Sequence, residues 1–168
     1  GIEYSGIMEG SHEVALMVAA YQKKIRKDGD AIYEAVHKMV TNPGGEHPCG
    51  GTYGQIDLDA YARYGYMPSE INVVSKTLDY AYDDFCVSQL AKALGKKKDA
   101  TFLEKRSMNY KNVFHPEYKY VCRRDSLGNA LPIYWGTGTI SSMYSPMPVS
   151  LKEIPGNTPG MYLMISKD

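Results

Sequence analysis

The sequence predicts a mainly α chain of helical hairpins that ends in an irregular Pro/Gly-rich tail. Three observations predict it. Apolar residues recur every three or four positions through 12–40 and again through 73–114. Short runs of Gly, Asp and Pro break those stretches. From Leu131 to Asp168, Pro132, Gly136, Gly138, Pro146, Pro148, Pro155, Gly156, Pro159 and Gly160 fall too densely for a helical stripe.

The first helix is expected over His12–Lys27, where Val14, Met17, Val18, Tyr21 and Ile25 share one face and Ser11 is placed to cap it. Asp28-Gly29-Asp30 interrupts the run. Asp30 is then expected to cap a second helix carrying Ile32, Ala35, Val36, Met39 and Val40. The short break makes the two an antiparallel hairpin. Residues 42–54 read as a Gly/Pro loop. A short helix is expected over Asp57–Tyr64, stopped by Gly65. The longest helix spans about Val73–Leu94. Val74, Leu78, Ala81 and Phe85 form its first stripe, and Val87, Leu90, Ala91 and Leu94 continue it with a shifted phase. Gly95 stops it. Lys92, Lys96, Lys97 and Lys98 gather at its negative end. Asp99 is expected to cap a last helix to about Phe114, with Phe102, Leu103, Arg106, Tyr110 and Val113 facing inward and Pro116 closing it. Tyr118–Arg123 fits a short strand, and residues 125–129 form a turn.

With 168 residues the chain suits about one domain. Nineteen basic side chains balance nineteen acidic ones, so no net field draws it to nucleic acid or to anionic lipid. No apolar run approaches a membrane span. Cys49, Cys86 and Cys122 are few and far apart, which supports neither a disulfide scaffold nor a zinc site. Residues 1–10 show no initiating Met and no basic-then-apolar leader. A fragment or a processed chain is therefore expected, and the compartment stays open. Tyrosine is abundant, 15 against 3 Phe and 1 Trp. Its apolar ring and hydroxyl suit a sugar surface, and they equally suit half-exposed helix faces.

One cluster could carry chemistry. Asp79, Asp83 and Asp84 share the long helix, with Asp79 and Asp83 four apart on one face. Like charges at that spacing call for compensation, from Lys76, Arg63, a metal or a substrate. Carboxylates so close also raise one another's pKa, as a general acid requires. A solvated acidic face is the other account of the same spacing. His12, His37, His47 and His115 are isolated and lack metal-ligand spacing. No phosphate-binding glycine loop and no GxSxG nucleophile turn occurs.

The stretch Gly65-Tyr66-Met67-Pro68, followed by the run from Val74 to Cys86, resembles a pattern of glycoside hydrolase family ninety-two, the calcium-dependent exo-acting α-mannosidases. There a Gly-Tyr-x-Pro loop leads into a helix reading Ser-x-Thr-Leu-Glu-Tyr-Ala-Tyr-Asp-Asp. Ala20-Tyr21-Gln22-Lys23, Ile25-Arg26 and Tyr33-Glu34-Ala35 resemble the preceding hairpin. Leu94-Gly95-Lys96 and Arg106-Ser107, with Asn109 to Asn112, resemble the following one. Ala19 stands where the family usually has Asp, and Lys24 where it usually has Gly.

The resemblance implies part of an α/α toroid catalytic domain over 1–116, with 117–168 as an irregular tail of short strands or disorder. It implies inverting removal of terminal mannose from a mannose-containing glycan, with calcium bound. It places the general acid at Asp79, where the family has Glu, and substrate contacts at Tyr80, Asp83 and Asp84. No match to the family's base or calcium ligands is found between Pro116 and Asp168, so the rest of the catalytic domain is the expected partner and the chain alone is expected to be inactive. The alternative is a non-catalytic helical module that binds a protein along its Tyr-rich face. A fixed repeat of helix pairs would favour it, and none is present.

Overall fold

Amphipathic spacing and glycine stops produce the expected hairpins. The computed structural model describes residues 12–46, 48, 52–117 and 119–131. Helices α1 (His12–Gln22) and α2 (Gly29–Thr41) form the first hairpin, and a two-residue ribbon follows, β1 (Gly45–Glu46) with β2 (Thr52–Tyr53). Helix α3 (Leu58–Tyr64) leads to α4 (Ser75–Ala93), which turns back into α5 (Lys97–Ser107). A 3-10 helix (Met108–Val113) and a second ribbon, β3 (Phe114–His115) with β4 (Tyr120–Val121), complete the described chain. Both ribbons are antiparallel. The strand expected near residue 120 is thus present as one arm of a hairpin. Among the described residues no helix is long and apolar enough to cross a membrane. The expected Ser11 cap and most of the 117–168 tail lie outside the described residues.

The core lies where the two large hairpins meet. Val14 and Val18 of α1, Ile32, Val36 and Val40 of α2, Val87, Leu90 and Ala91 of α4, and Ala100 and Leu103 of α5 are buried together. A smaller cluster of Leu58, Tyr61, Met67 and Tyr80 seats α3 on the first half of α4.

Several expected contacts are corrected. Asp30 lies inside the first turn of α2, and Asp28 holds the N-cap position. Asp28 makes no cap hydrogen bond, because its carboxylate accepts from the Arg26 guanidinium at 3.0 and 2.7 Å. Asp99 lies inside α5, where it accepts a 2.6 Å hydrogen bond from the Tyr33 hydroxyl. Ile25 falls past the end of α1 and is 72% exposed. Ala35, Phe102 and Tyr110 face solvent as well. On α4 Val87, Leu90 and Ala91 of the second apolar stripe are buried as expected and Leu94, at its end, is half-buried, whereas Leu78 and Phe85 of the first are exposed. Thr77, Tyr80, Asp83 and Asp84 are buried in their place.

The same terminal motif closes α1 and α4. At α1, the Ile25 N–H donates to the Ala20 carbonyl and the Lys24 N–H to that of Tyr21, both at 2.9 Å. At α4, the Lys96 N–H donates to Ala91 and the Gly95 N–H to Lys92. Each pair is the crossed bonding that needs a left-handed residue between helix and loop. Gly95 adopts φ 75° without steric penalty, while Lys24 is held at φ 61°. Replacement Lys24→Gly is therefore expected to stabilise the fold by about 1 kcal/mol. By contrast, Leu90→Ala is expected to destabilise it by about 2–5 kcal/mol. Urea denaturation followed by helical circular dichroism checks both.

Candidate functional site

All four residues singled out for chemistry sit on α4, and their surroundings differ. Asp79 lies half-buried at the border between the exposed and enclosed faces of the helix. Tyr80 is enclosed; its hydroxyl donates to the Ile56 carbonyl at 2.9 Å and its ring meets Tyr61 edge-on, 5.6 Å between centroids. Asp83 is 2% exposed and accepts from the Gln55 side-chain amide at 3.1 Å. Asp84 is fully buried and receives the Arg106 guanidinium on both oxygens, Nε at 2.7 Å and NH2 at 2.6 Å. Lys76 is buried too, with its ammonium 6.0 Å from the Tyr80 ring centroid.

The acidic triplet is therefore not a solvated face. Its members diverge because successive helix positions lie about 100° apart. Asp83 points toward the segment ending at Gln55, and Asp84 toward α5. The Arg106 NH2 group also donates to the Val40 carbonyl at the end of α2, at 2.6 Å. The Tyr61 hydroxyl reaches the Arg106 carbonyl at 3.3 Å.

Burial sets the acidities. It pushes the Asp83 carboxyl up to about 8; the Gln55 hydrogen bond opposes this, and Asp84, Asp79 and Glu13 add to it. Burial also lifts Asp84, to about 6, against the pull of Arg106. Mutual repulsion, the cause inferred from spacing, is thus smaller than desolvation. The bidentate guanidinium keeps Asp84 ionised at neutral pH.

Gln55 escaped the sequence reading. Its one signal was the glycine-rich loop before it, whose glycines allow a close backbone approach. A Cβ on Gly44 would meet the Tyr53 carbonyl oxygen at 2.2 Å, so no other residue fits there. That approach lets the Gly44 N–H donate to the Gln55 carbonyl at 2.8 Å and carries the Gln55 side chain onto α4. Among the described residues no three His, Cys, Asp or Glu side chains converge as a metal site. These residues by themselves do not fit calcium.

Residues 2–143 match the glycosyl hydrolase family 92 catalytic domain, and the chain belongs to that family. An uncharacterized secreted glycosidase of Arthroderma benhamiae is 32% identical, over 62% of this chain and 14% of that protein. A solved family GH92 α-mannosidase of Bacteroides thetaiotaomicron superposes on 76% of this chain and 16% of its own, with 33% identity and a TM-score of 0.64. In its complex with mannoimidazole the likeness covers 80% and 18%, again at 33% identity, with a TM-score of 0.66. A family GH92 inverting mannosidase of the same organism gives 30% identity over 78% and 18%, with a TM-score of 0.69. The chain thus spans 14–18% of the length of these proteins. Its helical hairpins form part of an α/α toroid.

Two outcomes follow from the buried carboxyls. Both folded pKa values lie above the unfolded value near 3.8. Their contribution to stability is fully present below about pH 4. It is lost as pH rises, through about 6 for Asp84 and about 8 for Asp83. Denaturation midpoints measured from pH 4 to 9 are expected to fall, and Asp83→Asn is expected to flatten the fall between 6 and 8. Removing one partner of the buried pair, as in Arg106→Met, is expected to destabilise by about 3–5 kcal/mol, and Asp84→Leu in the same chain to restore much of it. The same denaturation assay reads both variants.

Proposed function

We propose that this chain supplies the acid-bearing helix of an exo-acting α-mannosidase, which removes terminal mannose from glycans with inversion. Membership of the family supports this, as do solved neighbours described as α-mannosidases, one of them inverting. The observation that carries it is the placement of Asp79. It sits half-buried on α4, beside Tyr80, Asp83 and Asp84, which are enclosed and bonded to neighbouring segments.

In this reading Asp79 donates a proton to the departing glycosidic oxygen. A second carboxylate, about 6.5–9.5 Å away in inverting enzymes, activates water on the other face of the sugar. That base and the calcium ligands belong to the rest of the catalytic domain. Proton transfer needs heavy atoms within roughly 2.6–3.2 Å. Asp is one methylene shorter than the Glu of the family motif, so Asp79 reaches less far unless a water relays the proton. Tyr80, Asp83 and Asp84 support the site from behind the acid by fixing how α4 is rotated.

The isolated chain is expected to show no hydrolysis of an aryl α-mannoside above background, with or without calcium. One positioned acid contributes about 10²–10⁴-fold, against about 10⁶-fold or more for a complete enzyme. A chimera carrying Ser75–Ala93 in place of the equivalent helix of the solved α-mannosidase tests the assignment. Its turnover is expected to rise with Asp79→Glu and to fall about 10²–10⁴-fold with Asp79→Asn. Equal rates for the chimera and its Asn variant would remove Asp79 from the acid role.

A further inference from the structure

We propose that Asp83 is a positioning residue: as a neutral acid it clasps the Gln55 amide and pins the β1–β2 ribbon, which Gln55 follows, against α4, one turn beyond Asp79. This rests on the mannosidase reading only for its relevance to the acid; the clasp itself rests on geometry.

The contact lies in the interior. Asp83 is 2% exposed and Gln55 is fully buried, and they meet at 3.1 Å. An ionised Asp83 would be poorly served there. Its one hydrogen-bond donor among the described residues is a neutral amide. The charges acting on it, Asp84 and Asp79 on its own helix and Glu13 on α1, are all negative. The nearby cation of α5, Arg106, is committed to Asp84. A buried carboxylate without a cation gives up its charge. The direction of its pKa shift agrees.

Protonation also bears on a second observation. The Gln55 Oε1 atom is buried without a partner. A half-turn of the amide exchanges its nitrogen and oxygen, which X–H geometry alone distinguishes. With Asp83 protonated, the same contact then runs from the acid O–H to Oε1, and Nε2 takes the buried place without a partner. Either way the clasp is a bond between two neutral groups, and an amide can replace the acid.

The clasp is the side-chain bond from the segment itself to α4, and the Tyr80 hydroxyl holds the next residue through the Ile56 carbonyl. The segment's two ends are already stitched together by the Gly44 N–H to Gln55 carbonyl bond and by the β1–β2 ladder. Those bonds shape the segment but do not attach it to the acid helix. The Gln55 side chain does, and it lands one helical turn past Asp79.

Backbone hydrogen exchange of the intact chain tests this at Gly44 and along β1 and β2. Asp83→Asn is expected to hold exchange within about threefold of the parent, because the amide restores a neutral bond. Asp83→Ala is expected to speed it about tenfold or more, with α5 unchanged. Gln55→Met, which leaves α4 intact, is expected to match Asp83→Ala and gives the answer should that variant not fold. In the parent, protection of the segment is expected to weaken as pH rises through about 8, and in Asp83→Asn to stay level. Unchanged exchange in Asp83→Ala or Gln55→Met, loss of protection in Asp83→Asn, or unfolding of the whole chain by Gln55→Met would each overturn the proposal. Exchange is read without turnover, so an inactive chain bears on the mannosidase reading alone.

Discussion

The ion pair between Arg106 and Asp84 is the constraint on which the rest of the arrangement depends. One guanidinium joins three helices: it grips Asp84 on α4, holds the last carbonyl region of α2 through Val40, and rises from α5 itself. It also lies 5.8 Å from the Tyr61 ring of α3, whose hydroxyl returns to the Arg106 backbone. Arginine suits this place because its fork gives two parallel bonds to a carboxylate and keeps donors for a carbonyl. Leaving either partner alone in the interior is costly, so the pair admits few alternative packings.

Around that pair, α4 divides its labour along its length. Its first half buries polar groups, three of which bond the irregular chain that passes over it. Thr77 accepts the Met67 N–H at 2.8 Å, Tyr80 bonds the Ile56 carbonyl, and Asp83 meets Gln55. Loops pressed against a helix bring backbone groups that water cannot reach, and side chains must answer them. The second half buries Val87, Leu90 and Ala91 against regular helices, whose backbones are already satisfied. The change in apolar phase near the middle of the helix marks where its neighbours change from loops to helices.

This division accounts for the contrast among the four site residues. Tyr80, Asp83 and Asp84 are drawn inward by the chain that needs them. Asp79 stays at the border, one turn before Asp83 and on the side that α4 leaves partly open. Enclosed neighbours that fix the rotation of a helix hold an acid more exactly than a loop would, because the side chain inherits the rigidity of the packed core. Substitution at the enclosed positions thus acts on the acid through its placement.

Local chemistry made the helices legible. Residue spacing marked α1, α2, α4 and α5, and glycines marked the ends of α3 and α4, because periodicity and left-handed caps act within a few residues. The family motif around Asp79 was legible for the same reason: it is contiguous. Which face each helix buries was decided by tertiary contacts. Leu78 and Phe85 looked like core and are exposed, whereas Thr77, Asp83 and Asp84, which lie outside both apolar stripes, are buried. Their partners Met67, Gln55 and Arg106 lie 10, 28 and 22 residues away. No pattern within one helix encodes contacts at such separations. A buried carboxyl is stabilised only once its partner has been brought to it, and only the folded chain does that.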